Sequence, residues 1–375
     1  MSVLPHPEST FPGAQTLKDY LEQCRLFLKG VDAGSAVQNA RVLARLGFEA
    51  PVVPQHPHAV PWGIDPWWST KEIREQARSL LSTVTSPIPY LVSEFRLEFS
   101  SLSVKDSKAP IAYAWELEFL LRNGLIASSE AVYLIPISAF LIAKPDLSLK
   151  ILAIFILEHI WKLVSQKERE THRPLIADCL RSALVFREKN ITQCSLPTLI
   201  LVSRDNEDEL SKCVIEIAKQ LEFVMTGSKA SEQAQGLYAY YVGSMCGSLG
   251  TRICFALVRK FRVYLPSLIV LCSHRERWVR IEGAKALREL CGACFEWITI
   301  AHRRKVIRAV FEAYFLDLME FQSVDEELNL VLLGMVEAFS AQELFQDAQR
   351  MFEQDISPNM KDPIAKMKSE GDIVF

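Results

Sequence analysis

Cys291-Gly292-Ala293-Cys294 sets two thiols with two residues between them, the spacing of thiol–disulfide enzymes and of half a zinc site. A reactive thiol of that kind sits at a helix N-terminus, where the dipole lowers its pKa. This pair follows the apolar-periodic run Arg280 to Leu290, so it falls at a helix C-terminus, where the dipole acts in the opposite sense. A structural zinc needs two more ligands at a comparable spacing, and the sequence holds no second CxxC and no HxxxH. The two cysteines read as core residues. His56-Pro57-His58 has no carboxylate beside it, and Glu158-His159 has no acid or histidine three or four positions away. No metal site and no acid–base pair follows from either.

The stretch Gly243-Ser244-Met245-Cys246-Gly247-Ser248-Leu249-Gly250-Thr251 has the glycine density of a phosphate loop. A P-loop needs a lysine after its second glycine to reach the β and γ phosphates, and none follows any glycine here. A nucleophile elbow needs Ser or Cys midway between two glycines; that position is Met245. Small residues that let two helices approach, with Gly250 ending one of them, explain the stretch. His302-Arg303-Arg304-Lys305, with Arg308, offers cations for phosphate but no alternating aromatic on which bases could stack, and reads as a solvated helix start. Asp205 to Glu209 is an acidic, solvated loop that could steer a basic partner. The expectation is a protein without catalytic activity, cofactor or metal.

Composition agrees. Lys plus Arg is 42 and Asp plus Glu 45, a net charge of −3, which supplies no overall field for a polyanion. Hydrophobic residues are 49% and charged ones 23% of 375, which excludes a disordered or fibrous chain. Gly 15 and Pro 18 are few for that length, so long helices are favoured over many short strands. Nine scattered cysteines fit no secreted disulfide framework. Met1 to Gly13 lacks the charged start and apolar stretch of a signal peptide. The run Ala131 to Ala143 stops at Lys144-Pro145, short of the roughly 20 residues that span a bilayer. A reduced, soluble, intracellular protein of the cytoplasm, with the nucleus left open, and with neither nucleic-acid nor membrane partners, is expected.

Along the chain, residues 1–13 read as disordered, and 14–66 as short helices followed by a proline-rich connector. Within that region Thr16 to Lys29 has helical spacing and Gly30 ends it; a second helix runs near Gly34 to Leu46. Ser69 is placed to cap a helix over Thr70 to Val84. Residues 67–355 show helical periodicity throughout and 356–375 form a polar tail. Inside the body a motif recurs. Ile135-Pro136, Leu196-Pro197 and Leu265-Pro266 each open a helix, and Leu149-Lys150, Leu210-Ser211 and Val279-Arg280 stand 13 residues after the respective proline. Small or apolar residues recur four positions on (Ala153, Val214, Gly283), five on (Ile154, Ile215, Ala284) and eight on (Leu157, Ala218, Leu287). Each copy is a helix pair whose apolar face only a neighbouring pair can cover. The prolines lie 61 and 69 residues apart, so the all-α fold is an irregular HEAT/armadillo-like α-solenoid.

The copy from Leu265-Pro266 to Leu290 resembles a HEAT repeat. Further features run in order: the Lys150 to Leu163 helix, Pro174 to Leu184, Cys194-Ser195-Leu196-Pro197, Tyr240-Tyr241-Val242-Gly243 to Leu249-Gly250, and Trp297 in a following helix. Together they resemble the Tel-two-interacting protein two family, the smallest subunit of the triple-T cochaperone, over residues 70–340. A Trp-Pro-Arg triplet common in that family is here Trp297-Ile298-Thr299, so only the tryptophan carries over. The resemblance implies a non-catalytic scaffold that binds the larger helical-repeat subunits of its complex. With the heat-shock chaperone machinery it would support maturation of phosphatidylinositol-3-kinase-related kinases (PIKKs). Arg275, Arg277, Trp278 and Trp297 are the candidate partner contacts, being of the types that dominate hot spots. Trp278 could equally close the core, and Arg280 could form a polar ladder inside the repeat. A solenoid adaptor for nuclear transport or trafficking, binding a GTPase or cargo, is the alternative.

Overall fold

The computed structural model describes residues 33–51, 62–63, 70–82, 84, 87–88, 90–101, 109–226, 232–321 and 323–339. The expectations for 1–13, the Thr16–Lys29 helix, the 356–375 tail, Ser69 and the His56-Pro57-His58 segment lie outside the described residues. Among the described residues every regular element is helical. They divide into two compact units, residues 1–203 and 204–375.

In the first unit, α1 (Ala33–Gly47), α4 (Ala109–Arg122), α6 (Leu147–Leu163) and α8 (Lys189–Ser203) pack in sequence side by side. A second layer holds α3 (Leu91–Ser101), α5 (Ile135–Ala143) and α7 (Gln166–Leu184), while α2 (Lys71–Leu81) lies on α1. The caps are written locally. Asp146 Oδ1 accepts from Leu149 N at 3.0 Å. Ser165 and Glu168 form a reciprocal capping box that satisfies two orphan amide donors at the start of α7. Thr70 caps α2, its hydroxyl accepting from Ile73 N at 3.4 Å. A buried ion network ties three helices together. Arg41 of α1 donates to Glu116 of α4 at 2.8 Å and, through both terminal nitrogens, to Glu98 of α3 at 2.8 and 2.5 Å. Burial opposes the charge on Arg41, but Glu116 and Glu98 outweigh it and hold its pKa above the ordinary value.

In the second unit the same plan recurs. One layer is α9 (Glu207–Thr226), α11 (Cys254–Cys272) and α13 (Ile300–Phe321); the other is α10 (Glu232–Leu249), α12 (Arg277–Ala293) and α14 (Glu326–Phe339). Each helix touches the one after next, and sequential partners cross between layers, which is the stacking of a HEAT/armadillo-like α-solenoid. The fold is all-α, as expected.

The repeat register holds where burial can be read. Leu149, Ala153, Ile154 and Leu157 are buried on α6, Leu210, Val214 and Ala218 on α9, and Val279, Ala284 and Leu287 on α12. Ile215 is half-buried. The middle copy is divided: its first helix, α8, closes the first unit and its second, α9, opens the next.

The role of the prolines needs correction. Pro136 stands in the first turn of α5 as expected, but Pro197 and Pro266 lie inside α8 and α11. Both are exposed, where water can meet the carbonyl that a missing N–H leaves. The helix continues because its earlier half is anchored. Before Pro266, Tyr264 is wholly buried and donates its hydroxyl hydrogen to Val214 O at 2.6 Å. Beside Pro197, Thr198 donates to Cys194 O at 2.9 Å and Ser195 to Leu180 O at 3.1 Å.

Candidate partner-binding surfaces

The four predicted contact residues meet different fates. Arg277 of α12 grips Asp317 of α13 with two hydrogen bonds, 2.7 and 2.9 Å, and its guanidinium lies 4.4 Å from the Phe321 ring. Next to it, Arg280 is fully buried. It donates to the His274 and Arg275 carbonyls at 2.9 and 3.0 Å and to Glu320 at 2.6 Å. Those carbonyls lie in the turn between α11 and α12. Arg280 thus forms the internal ladder. Lys150 does the same in the first copy, donating to Ile142 O at 2.8 Å and to Lys144 O. Burial pushes the pKa of Lys150 down. Arg275 is exposed and pairs with Glu232 at the start of α10.

Trp278 is half-buried and faces α10 at Gly236. A Cβ added at Gly236 would stand 2.0 Å from the Trp278 ring. The neighbouring Gly243 lies against Ala286, a Cβ there falling 3.3 Å from its Cα. The glycine-rich stretch is therefore a close helix–helix approach. Gly250, at φ 52°, ends α10 in a left-handed turn that a side chain would strain.

Trp297 sits in a short 3-10 turn, Phe295–Trp297, and not in the following helix. Thr299 caps α13 instead, accepting from His302 N at 3.4 Å. Trp297 is 52% exposed and packs edge to face with Phe255 of α11, itself 75% exposed, at 6.1 Å. Phe295 is also exposed, with Arg303 4.6 Å over its ring. These aromatics come from segments 40 residues apart, and Phe255 was not singled out from sequence. The signal was present: Cys254, Leu257, Tyr264, Leu265 and Leu268 trace the buried stripe of α11, and Phe255 falls off it.

A larger feature was also not legible in the sequence. The outer surface of α3, α5 and α7 opens a groove of about 800 Å³. Leu97 and Phe99 of α3, Tyr133 before α5, Ile137 and Phe140 of α5 and Leu175 of α7 line it. Arg96 and His172 also line it, with Arg96 5.5 Å over the Tyr133 ring. Leu97, Tyr133 and Leu175 remain about half-exposed or more.

The CxxC thiols lie in the core. Cys291 and Cys294 are buried and free, and burial raises both thiol pKa values, that of Cys291 to about 12. His159 does have an acid partner, brought by the fold and not by the helix: Glu118 Oε1 of α4 at 3.2 Å, an oxygen pair also approached by Arg122 at 3.4 Å. Asp205 to Glu209 opens α9, where Asn206 Oδ1 accepts from Glu209 N at 2.9 Å and the acids complement the helix dipole. Among the described residues no group of His, Cys, Asp and Glu is placed to hold a metal ion, and no helix is long and apolar enough to cross a membrane.

No family model matches the chain, and no curated protein does. Among solved structures, one engineered protein from the Northeast Structural Genomics Consortium is 13% identical, with 86% of this chain and 97% of that chain covered and a TM-score of 0.37. A designed armadillo repeat protein in complex with the peptide (KR)4 is 13% identical, with 85% and 99% covered and a TM-score of 0.32. The fold class rests on the helix stacking itself.

Proposed function

We propose that this chain is a non-catalytic helical scaffold whose first unit holds an amphipathic helix of a larger helical-repeat subunit. This agrees with the cochaperone role in PIKK maturation that the sequence resemblance implies. The apolar groove over α3, α5 and α7 carries the reading. It is open and lined by aliphatic and aromatic side chains, the character of a site for one face of a helix. Leaving Leu97, Tyr133 and Leu175 in water is unfavourable by about 25 cal/mol for each Å² of apolar surface, a cost that a docked helix removes. The buried thiols and the paired Arg277 and Arg280 support a scaffold over an enzyme.

The test is tagged purification of the full chain from its own cells with mass spectrometry of what stays bound. Wild type is expected to retain a large helical-repeat partner together with traces of PIKKs. The double variant Leu97→Asp, Leu175→Asp is expected to lose both while melting like wild type, since both side chains are exposed. Retention of the partner by the variant removes the groove from the reading. Capture of a GTPase in a nucleotide-dependent manner, without a large helical-repeat protein, replaces the cochaperone role by that of a transport adaptor.

A further inference from the structure

The face around Phe255, Phe295 and Trp297 differs in character from the groove. It is apolar at its centre and cationic around it. Residues 252–262 and 295–312 hold eight Lys and Arg against two carboxylates, Glu296 and Glu312, in a chain whose net charge is −3. Arg252, Phe255, Arg259 and Arg262 follow at three- and four-residue steps and are all exposed, so they stand on one side of the chain leading through α11. Across the contact between α11 and α13, Arg304, Lys305 and Arg308 are exposed. Phe261 meets His302 at 5.4 Å, which joins the two helices along this side. Among the described residues Arg259, Arg262 and Lys305 form no ion pair. Like charges gathered in this way repel one another, and the opposite charge of a partner relieves that repulsion.

We propose that this face is a second docking surface, and that its occupant is an acidic segment of a partner protein carrying a leucine or aromatic side chain between its carboxylates. The apolar side chain enters the angle between Phe255 and Trp297, and the flanking carboxylates meet the guanidinium groups of Arg259 and Arg262. This is the anatomy of a hot spot, an aromatic and arginine centre with a charged rim. A single-stranded nucleic acid fits less well. Successive bases stack on ring faces, whereas the Phe255 and Trp297 rings are tilted at 63° to each other and Arg303 lies over the Phe295 ring.

The experiment is fluorescence anisotropy of the full chain with a labelled peptide Asp-Glu-Asp-Leu-Phe-Glu-Asp-Glu. Binding is expected and should weaken between about 50 and 200 mM salt. Each of the double variants Phe255→Ser, Trp297→Ser and Arg259→Glu, Arg262→Glu is expected to weaken it about tenfold or more. A peptide with Ser-Ser in place of Leu-Phe reports the apolar contribution without altering the protein, and a comparable loss is expected there. The groove variant Leu97→Asp, Leu175→Asp is expected to leave peptide binding unchanged, which separates this proposal from the preceding one. Equal binding by wild type and both face variants overturns it. So does tighter binding of oligo-dT, or of phosphatidylserine vesicles, than of the peptide.

Discussion

Replacing Gly283 by alanine measures how closely α11 and α12 approach. A Cβ there would stand 2.9 Å from Leu271 Cβ, 3.1 Å from Leu271 C and 3.3 Å from Cys272 N. Comfortable carbon contacts are about 3.5–4.0 Å, and two of these three obstacles are backbone atoms that no rotamer change can move. The helices must therefore separate by about 0.5 Å or more, which weakens neighbouring dispersion contacts by about a quarter. Overpacking of this kind costs about 1–3 kcal/mol, against about 1 kcal/mol gained by replacing glycine within a helix. The net expectation is a loss of up to about 2 kcal/mol. Gly236→Ala meets a deeper overlap, 2.0 Å, but with the end of the Trp278 ring. There the expected loss reaches about 3 kcal/mol alone, and Trp278→Leu should recover part of it, with a coupling of about 1 kcal/mol or more between the two sites. Gly292→Ala meets nothing within 4 Å and should gain about 0.5–1 kcal/mol. Urea unfolding followed by helical circular dichroism, with the slope checked for constancy, reads all three. A Gly283→Ala midpoint at or above that of Gly292→Ala refutes the packing argument, and so does strict additivity of Gly236→Ala with Trp278→Leu.

Other expectations follow from the buried groups. Arg41→Met should cost about 3 kcal/mol or more by taking one of its guanidinium partners from the fully buried Glu116, read by the same urea midpoint. His274 is held below the usual histidine pKa, chiefly by burial, while its Nδ1 accepts from Glu276 N at 3.0 Å. The unfolded chain then takes up the proton first. The contribution is complete above pH about 6.5 and is lost as pH falls through the lowered folded pKa. His274→Asn supplies an acceptor that does not titrate, so the fall in melting temperature on acidification through that window should be smaller than in wild type. Finally, the eight described cysteines are buried and free. In a Cys24→Ser variant Ellman's reagent should find no fast thiol in the native chain and all of them after unfolding; a fast thiol would show that one of these sites opens.

The helices were legible because each buries a stripe at three-four spacing, and the second-helix register at Leu149, Leu210 and Val279 follows from that. What proline does was not. At Pro136 the sequence signal and the structure agree, but at Pro197 and Pro266 the hydroxyls of Ser195 and Tyr264 are anchored on other helices, and a local rule has no access to that. The same limit governs the surfaces. Arg277 and Trp278 are of interface type, yet α13 and α10 engage them from within. Trp297 is exposed as expected, but its partner Phe255 lies on another helix. The groove is drawn from α3, α5 and α7 at once. Off-stripe apolar residues such as Leu97 and Phe255 are the trace such surfaces leave in a sequence.

The central place of α12 has a consequence for how the second unit opens. α12 contacts α10, α11, α13 and α14, whereas α14 rests on α12 and α13. Amides of α14 can therefore exchange with solvent hydrogen by a local excursion that spares the rest. Those in the middle of α12, around Ala284 to Leu287, have no such private route, because exposing them detaches four neighbours together. Their exchange should proceed only through the largest opening the unit has, and in a pulse of deuterium they would be the last protons to leave.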